Sequence, residues 1–231
     1  FIFGGKAAPG YGRAKGIIKY INEIARLVNS DPRVNKKMKI VFVSDYDCSY
    51  AEKIIAAADI SEQISLASKE ASGTGNMKFM LNGAVTCGTY DGANVEIVQQ
   101  AGEENEYIFG ARVEDLEREK SSYDPYKIYD GDEKIKQAVD TLVDGILSAG
   151  KRDYFRNLYA SLVSKYGDND KYFLLYDLKS YIETKLQMNR DYVDRLQFRR
   201  KGLENILNAG IFSSDRAVKQ YAKEIWKVKE Y

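Results

Sequence analysis

Gly73-Thr74-Gly75-Asn76-Met77-Lys78-Phe79-Met80-Leu81, followed after Asn82-Gly83 by Ala84-Val85-Thr86-Cys87-Gly88-Thr89, sets a glycine loop, a short helix and a strand in close succession. This spacing predicts a helix over 75–81 and a strand over 84–89. Upstream, Lys39 to Ser44 encloses the apolar run Ile40-Val41-Phe42-Val43, the pattern of a central parallel strand covered on both faces. Phe1 to Phe3 reads as a buried strand, and Gly4 to Gly12 as a loop. Ile17, Ile18, Ile21, Ile24, Ala25 and Val28 then share one helical face that stops at Asn29-Ser30-Asp31-Pro32. Residues 50–59 read as the next helix and Ile64 to Ala67 as a short strand. Strands alternating with helices across short connections predict an α/β fold with a doubly wound, Rossmann-like parallel sheet.

Beyond residue 130 the pattern changes. All three prolines fall in the first 125 residues, and only Gly167, Gly202 and Gly210 follow position 150. Ile135, Ala138, Val139, Leu142, Val143, Ile146 and Leu147 keep a helical period, as do Phe155, Leu158, Tyr159, Leu162, Val163 and Tyr166. One long helix is expected from about 174 to 207. A final helix carries Val218, Tyr221, Ala222, Ile225 and Trp226 on one stripe, with Ser213 or Ser214 as its cap. Residues 1–130 are therefore expected to form the Rossmann-like part and 131–231 a helical region of the same lobe.

Composition removes several function classes. The 231 residues contain no histidine, which excludes Ser-His-Asp or Cys-His catalysis and His-ligated zinc or haem within the chain. Lys+Arg 35 against Asp+Glu 34 leaves a formal charge of +1, without the basic footprint of a nucleic-acid binder. Arg195, Arg199, Arg200 and Lys201 read as a solvated helix face. No apolar run is long enough to cross a bilayer. Cys48 and Cys87 lie far apart and read as reduced thiols of a cytoplasmic protein. A chain opening at Phe1 on a strand already under way reads as part of something longer.

The chemistry concentrates in Glu70-Ala71-Ser72-Gly73-Thr74-Gly75-Asn76-Met77-Lys78. Gly73 and Gly75 let backbone N–H groups approach a ligand closely, and the helix that follows adds unpaired donors and a positive dipole end. Thr74 can cap that helix or bond a phosphate oxygen. Lys78 sits about one turn in, leaning back toward the N-terminus, where it opposes the dipole at a cost of about 0.3–1 kcal/mol when exposed. A phosphate cradle with a lysine just beyond it suits pyridoxal phosphate, gripped at one end and held covalently at the other. A plain structural turn remains the alternative on these residues alone. The pattern is neither a P-loop nor a dinucleotide fingerprint.

These residues resemble one family. Glu70 to Leu81 (EASGTGNMKFML), Asn82-Gly83-Ala84 and Gly88-Thr89-Tyr90-Asp91-Gly92-Ala93-Asn94-Val95-Glu96 are similar to the cofactor-binding stretch of the glycogen/α-glucan phosphorylases. Gly4-Gly5-Lys6-Ala7-Ala8-Pro9-Gly10-Tyr11, residues 57–65, residues 101–105 and Phe212-Ser213-Ser214-Asp215-Arg216 extend the resemblance over the whole chain. It implies the C-terminal lobe of a two-lobed GT-B glycosyltransferase that uses pyridoxal 5′-phosphate. Such an enzyme passes the terminal glucose of an α-1,4-glucan to inorganic phosphate, giving α-glucose 1-phosphate, and is usually a homodimer. The resemblance places Lys78 as the lysine that carries the cofactor, and Gly73, Thr74 and Gly75 around the cofactor phosphate. Glu70, Ser72 and Gly73 correspond to contacts with the transferred glucose, Tyr46 to a tyrosine beside the cofactor ring, and Tyr11 to an aromatic at the cleft mouth. Asp91-Gly92-Ala93-Asn94 reads as a strand-to-helix turn in the apo chain and, on this resemblance, as a supporting wall in the holo enzyme. The family's basic phosphate clamp and its sugar-touching histidine have no counterpart in these residues, so the chain alone is expected to be inactive. The rival readings are a cofactor-free, nucleotide-sugar glycosyltransferase lobe and a non-catalytic fragment.

Overall fold

The computed structural model describes residues 1–164 and 169–228. In chain order the elements begin β1 (Ile2–Phe3), α1 (Gly12–Ser30), β2 (Val41–Phe42), α2 (Cys48–Ala57) and β3 (Ile60–Gln63). They continue α3 (Gly75–Leu81), β4 (Val85–Thr89), α4 (Ala93–Ala101), β5 (Tyr107–Phe109) and α5 (Val113–Glu119). Only helices follow among the described residues: α6 (Pro125–Gly131), α7 (Glu133–Asp140), α8 (Arg156–Val163), α9 (Leu174–Asp191), α10 (Arg195–Asn208) and α11 (Ser214–Tyr221). Every strand pair is parallel, as helical crossovers require, so the α/β class holds. The strands form two sheets, β1-β2 and β3-β4-β5. Contacts group the chain into two compact units, Phe1–Ala51 with Tyr123–Leu175, and Glu52–Ser122 with Tyr176–Tyr231.

In the first unit, Ile2 pairs with Val41 and Phe3 with Phe42. The expected covered central strand is only two residues long, and Val41 stays 46% exposed. A ladder of two strands with α1 packed against β2 has too little around it to bury both faces, and only Val43 goes fully inside. The core lies instead under α1, where Tyr20, Ile24 and Leu27 meet Leu142, Leu147 and Phe155. That core explains why the helix expected through Leu147 ends at Asp140. Gly145 turns left-handed at φ 93°, which folds Leu147 back into the cluster. Thr141 reinforces the break by donating to the Ala138 carbonyl at 2.6 Å. α8 runs to Val163, and Tyr166 of the expected stripe lies outside the described residues.

In the second unit, β4 is central and wholly buried, with Ile60 to Gln63 opposite Val85 to Gly88 on one side and Tyr107 to Phe109 on the other. The strand expected at Ile64 to Ala67 therefore sits at Ile60–Gln63, four residues earlier. The ladder with β4 sets this register and leaves Ile64 59% exposed. Val85, Cys87, Tyr107, Phe109, Met188 and Phe198 fill one face, where burial pushes the Cys87 thiol up to about 11 and so keeps it protonated. Met80, Ile97, Ala101 and Ala209 form a second cluster that seats α3 against α4.

The long helix expected over 174–207 is two helices. Asp194 breaks it by capping α10, accepting from the Gln197 N–H at 3.1 Å. Asp191 and Tyr192 at the break are held by Tyr107 and Asp59. Ser213 precedes α11 as expected, but its hydroxyl makes no cap bond, and the stripe past Tyr221 continues as a π-helical turn over Ala222–Trp226.

Candidate active site

The glycine loop and the head of α3 lie within the second unit, and the sequence dictates their shape closely. Gly73 has φ +81°, and a Cβ there would meet the Asn76 amide at 3.1 Å, so both conformation and space require glycine. Asn76 is buried, donates to the Asn94 side-chain oxygen at 3.0 Å, and accepts the Met77 N–H at 3.0 Å. Thr74 stands at the helix cap position with its hydroxyl making no cap bond. The N–H groups of Gly73, Thr74, Gly75 and Asn76 have no acceptor among the described residues. Nothing lies within 4 Å of where a Gly75 Cβ would be, so the space beside that residue is open.

The wall behind the loop is the turn between β4 and α4. Asp91 accepts from the backbone N–H of Lys69 at 3.0 Å and of Glu70 at 2.8 Å. The Ala93 N–H donates to the Ser72 carbonyl at 2.7 Å, and Asn94 donates to the Thr89 carbonyl at 2.9 Å. Thr89 itself donates to the Ser65 carbonyl at 2.6 Å. A loop that sequence alone leaves free is thus anchored at both ends. Losing Asp91 leaves two loop N–H groups without their anionic acceptor. Asp91→Ala is expected to cost about 1–3 kcal/mol, measured by chemical denaturation, and a change below about 0.5 kcal/mol would contradict the anchoring role.

Glu70, Ser72, Thr74 and Lys78 are all exposed along this stretch. The Glu70 carboxylate accepts the Ser65 hydroxyl at 3.1 Å, and the Ser72 hydroxyl donates to the Gly73 carbonyl at 3.1 Å. Lys78 is the fourth residue of α3, and its carbonyl receives the Asn82 N–H and amide. Tyr46 and Tyr11 belong to the first unit. The Tyr46 ring packs on Gly4, where an added Cβ would come within 2.6 Å, and Tyr11 is exposed. Asn76 is the positioning residue that sequence reading overlooked. Its type and place, an amide one residue into a helix after a left-handed glycine, were the available signal.

The residues fit a phosphate-bearing aldehyde. Unsatisfied amides and a free hydroxyl are the donors a phosphate needs, and a primary amine stands on the same short helix. No helix among the described residues is long and apolar enough to cross a membrane.

A loop at the carboxyl end of a parallel strand is where α/β folds bind their ligands. The sequence profile of the carbohydrate phosphorylases matches residues 1–228, and the chain belongs to that family. Glycogen phosphorylase of Bacillus subtilis (strain 168) is 45% identical over 231 residues, covering 99% of this chain and 28% of that protein. The mouse muscle form of glycogen phosphorylase is 46% identical over 228 residues, covering 98% of this chain and 27% of its own. Glycogen phosphorylase of Synechocystis sp. is 43% identical over 230 residues. The chain spans little more than a quarter of the length of these relatives.

Proposed function

We propose that this chain is the cofactor-holding part of a pyridoxal-phosphate-dependent α-glucan phosphorylase, a hexosyltransferase that passes glucose from glycogen or maltodextrin to inorganic phosphate. The observation that carries the reading is the ring of unpaired N–H groups at Gly73–Asn76, fixed by Asp91 and Asn94, with Lys78 on the same helix. The amides of Gly73 and Gly75 and the Thr74 hydroxyl grip the phosphate, and Lys78 tethers the aldehyde end. Glu70, Ser72 and the Gly73 backbone bind hydroxyls of the glucose being transferred, and Tyr46 packs beside the cofactor ring. When bound, the cofactor supplies a phosphate group whose second pKa lies near neutrality, suited to exchanging a proton with substrate phosphate. Such chemistry requires no histidine from this chain.

The same proposal assigns residues 1–130 as the Rossmann-like part and 131–231 as the helical region of one GT-B lobe. The full enzyme is a cytoplasmic homodimer acting on α-glucan and inorganic phosphate. Comparing pyridoxal phosphate with pyridoxal tests the phosphate grip. At a hundredfold excess over its dissociation constant, the phosphate form is expected to stabilise the protein by about 2.7 kcal/mol in thermal unfolding. Pyridoxal at the same concentration is expected to give far less. Equal stabilisation by both, or none by either, would overturn the reading.

A further inference from the structure

Behind the three-stranded sheet of the second unit lies a buried polar cluster unrelated to the glycine loop. Thr86 on β4, Glu106 just before β5 and Asn205 on α10 are each nine-tenths or more buried. One carboxyl oxygen of Glu106 accepts the Thr86 N–H at 2.6 Å. The other carboxyl oxygen, the Thr86 hydroxyl and the Asn205 side-chain oxygen are buried with no hydrogen-bond partner among the described residues. The Asn205 and Thr86 side chains lie beside the Glu106 carboxyl and act to lower its titration, against the larger effect of burial. The Asn205 NH2 donates to the Lys201 carbonyl at 3.0 Å, which fixes the amide with its oxygen turned into the cluster.

Counting protons decides what the cluster holds. With Glu106 ionised, its free oxygen and the Asn205 oxygen are two buried acceptors with no proton between them, and leaving them unsatisfied costs about 1–3 kcal/mol each or more for a charged group. With Glu106 as the acid, its proton pairs those two oxygens. We propose that Glu106 is held as a carboxylic acid whose proton bonds the Asn205 oxygen, clasping β4, β5 and α10 with a proton that is released as pH rises.

Burial has to outweigh one nearby charge. On α10, the Lys201 ammonium favours the carboxylate, and it is committed to the Glu104 carbonyl. In the 3-10 turn before β5, Glu103 pairs with Arg112 at 3.6 Å. β4 contributes the protonated Cys87 thiol, β5 contributes Tyr107, whose hydroxyl donates to Asp191, and α4 approaches that turn through uncharged Ala101. Burial is the leading effect on Glu106 and pushes it up from 4.5 to about 7. A carboxyl raised on folding contributes stability that is fully present below about 4.5 and is lost as pH rises through about 7.

Carbon-13 titration of glutamate-labelled protein tests this directly, with E106Q identifying the Glu106 signal by its disappearance. A carboxyl carbon that keeps its acid shift at a pH midway between 4.5 and 7, and titrates near the upper value, is the expected result. One already showing the carboxylate shift at that midway pH overturns the proposal. Across the same window the folding constant of the wild type, divided by that of E106Q, is expected to fall up to about tenfold per pH unit, and a flat ratio overturns the clasp. Should E106Q fail to fold, the infrared carbonyl band of a buried acid in the wild type gives the same reading. That band is expected at the acid end of the window and gone at the alkaline end. Its absence at the acid end overturns the proposal.

Discussion

Gly92→Ala is expected to cost about 2–6 kcal/mol and to disable the glycine loop together with the fold around it. Gly92 sits at φ +52° and ψ −142°, a conformation that L side chains rarely adopt. A Cβ there would lie 2.6 Å from the Ser72 carbonyl oxygen and 3.0 Å from the Glu70 side chain. The first obstacle is backbone, so no rotamer change relieves it. It is the same carbonyl that receives the Ala93 N–H, so any shift that makes room also breaks the bond tying the loop to α4. Strain and clash fall on one peptide, and their costs of about 1–3 kcal/mol each add. Chemical denaturation reads the first effect and retention of pyridoxal phosphate the second. A variant as stable as wild type that also binds cofactor normally would show that the close approach does not exist in solution.

Met80→Ala is expected to be as damaging for a different reason. A helix of seven residues is too short to hold itself together in water, so α3 persists through packing. Met80 is fully buried and joins Ile97, Ala101 and Ala209, with Phe212 against them. Truncation leaves a cavity and is expected to cost about 2–5 kcal/mol, or about 4–20 °C in Tm for a domain of this size. Lys78 and the free amides ride on the same helix, so cofactor affinity falls with it. Stability loss without loss of cofactor affinity would separate α3 from the site.

The sequence reveals the site more sharply than the frame around it, for a physical reason. Gly73 is a local requirement of one backbone path, so the loop and the bounds of α3 at Gly75 and Leu81 follow from neighbouring residues alone. Strand positions are not local. Ile60–Gln63 and Ile64–Ala67 both carry apolar residues, and the ladder with β4 chooses between them. Similarly, periodicity cannot see Asp194 ending α9 and capping α10, because the competing bonds run from a side chain to backbone. Leu142 and Leu147 fit a continued helix equally well, yet Phe155 draws them into a tighter turn. The wall of Asp91 and Asn94 was legible as a turn, whereas Asn76 as its partner needed the folded distances. Glu106 carries no motif, and its raised titration arises from the burial that the fold imposes on it.

Borohydride reduction of the protein after addition of pyridoxal phosphate, followed by peptide mapping, bears most directly on the claim that this loop and its helix hold the cofactor. The account predicts one stoichiometric mass increment, on the peptide containing Lys78, and its loss in Thr74→Val combined with Lys78→Arg. An increment on a different lysine, or labelling scattered over surface lysines with Lys78 unmodified, would contradict it.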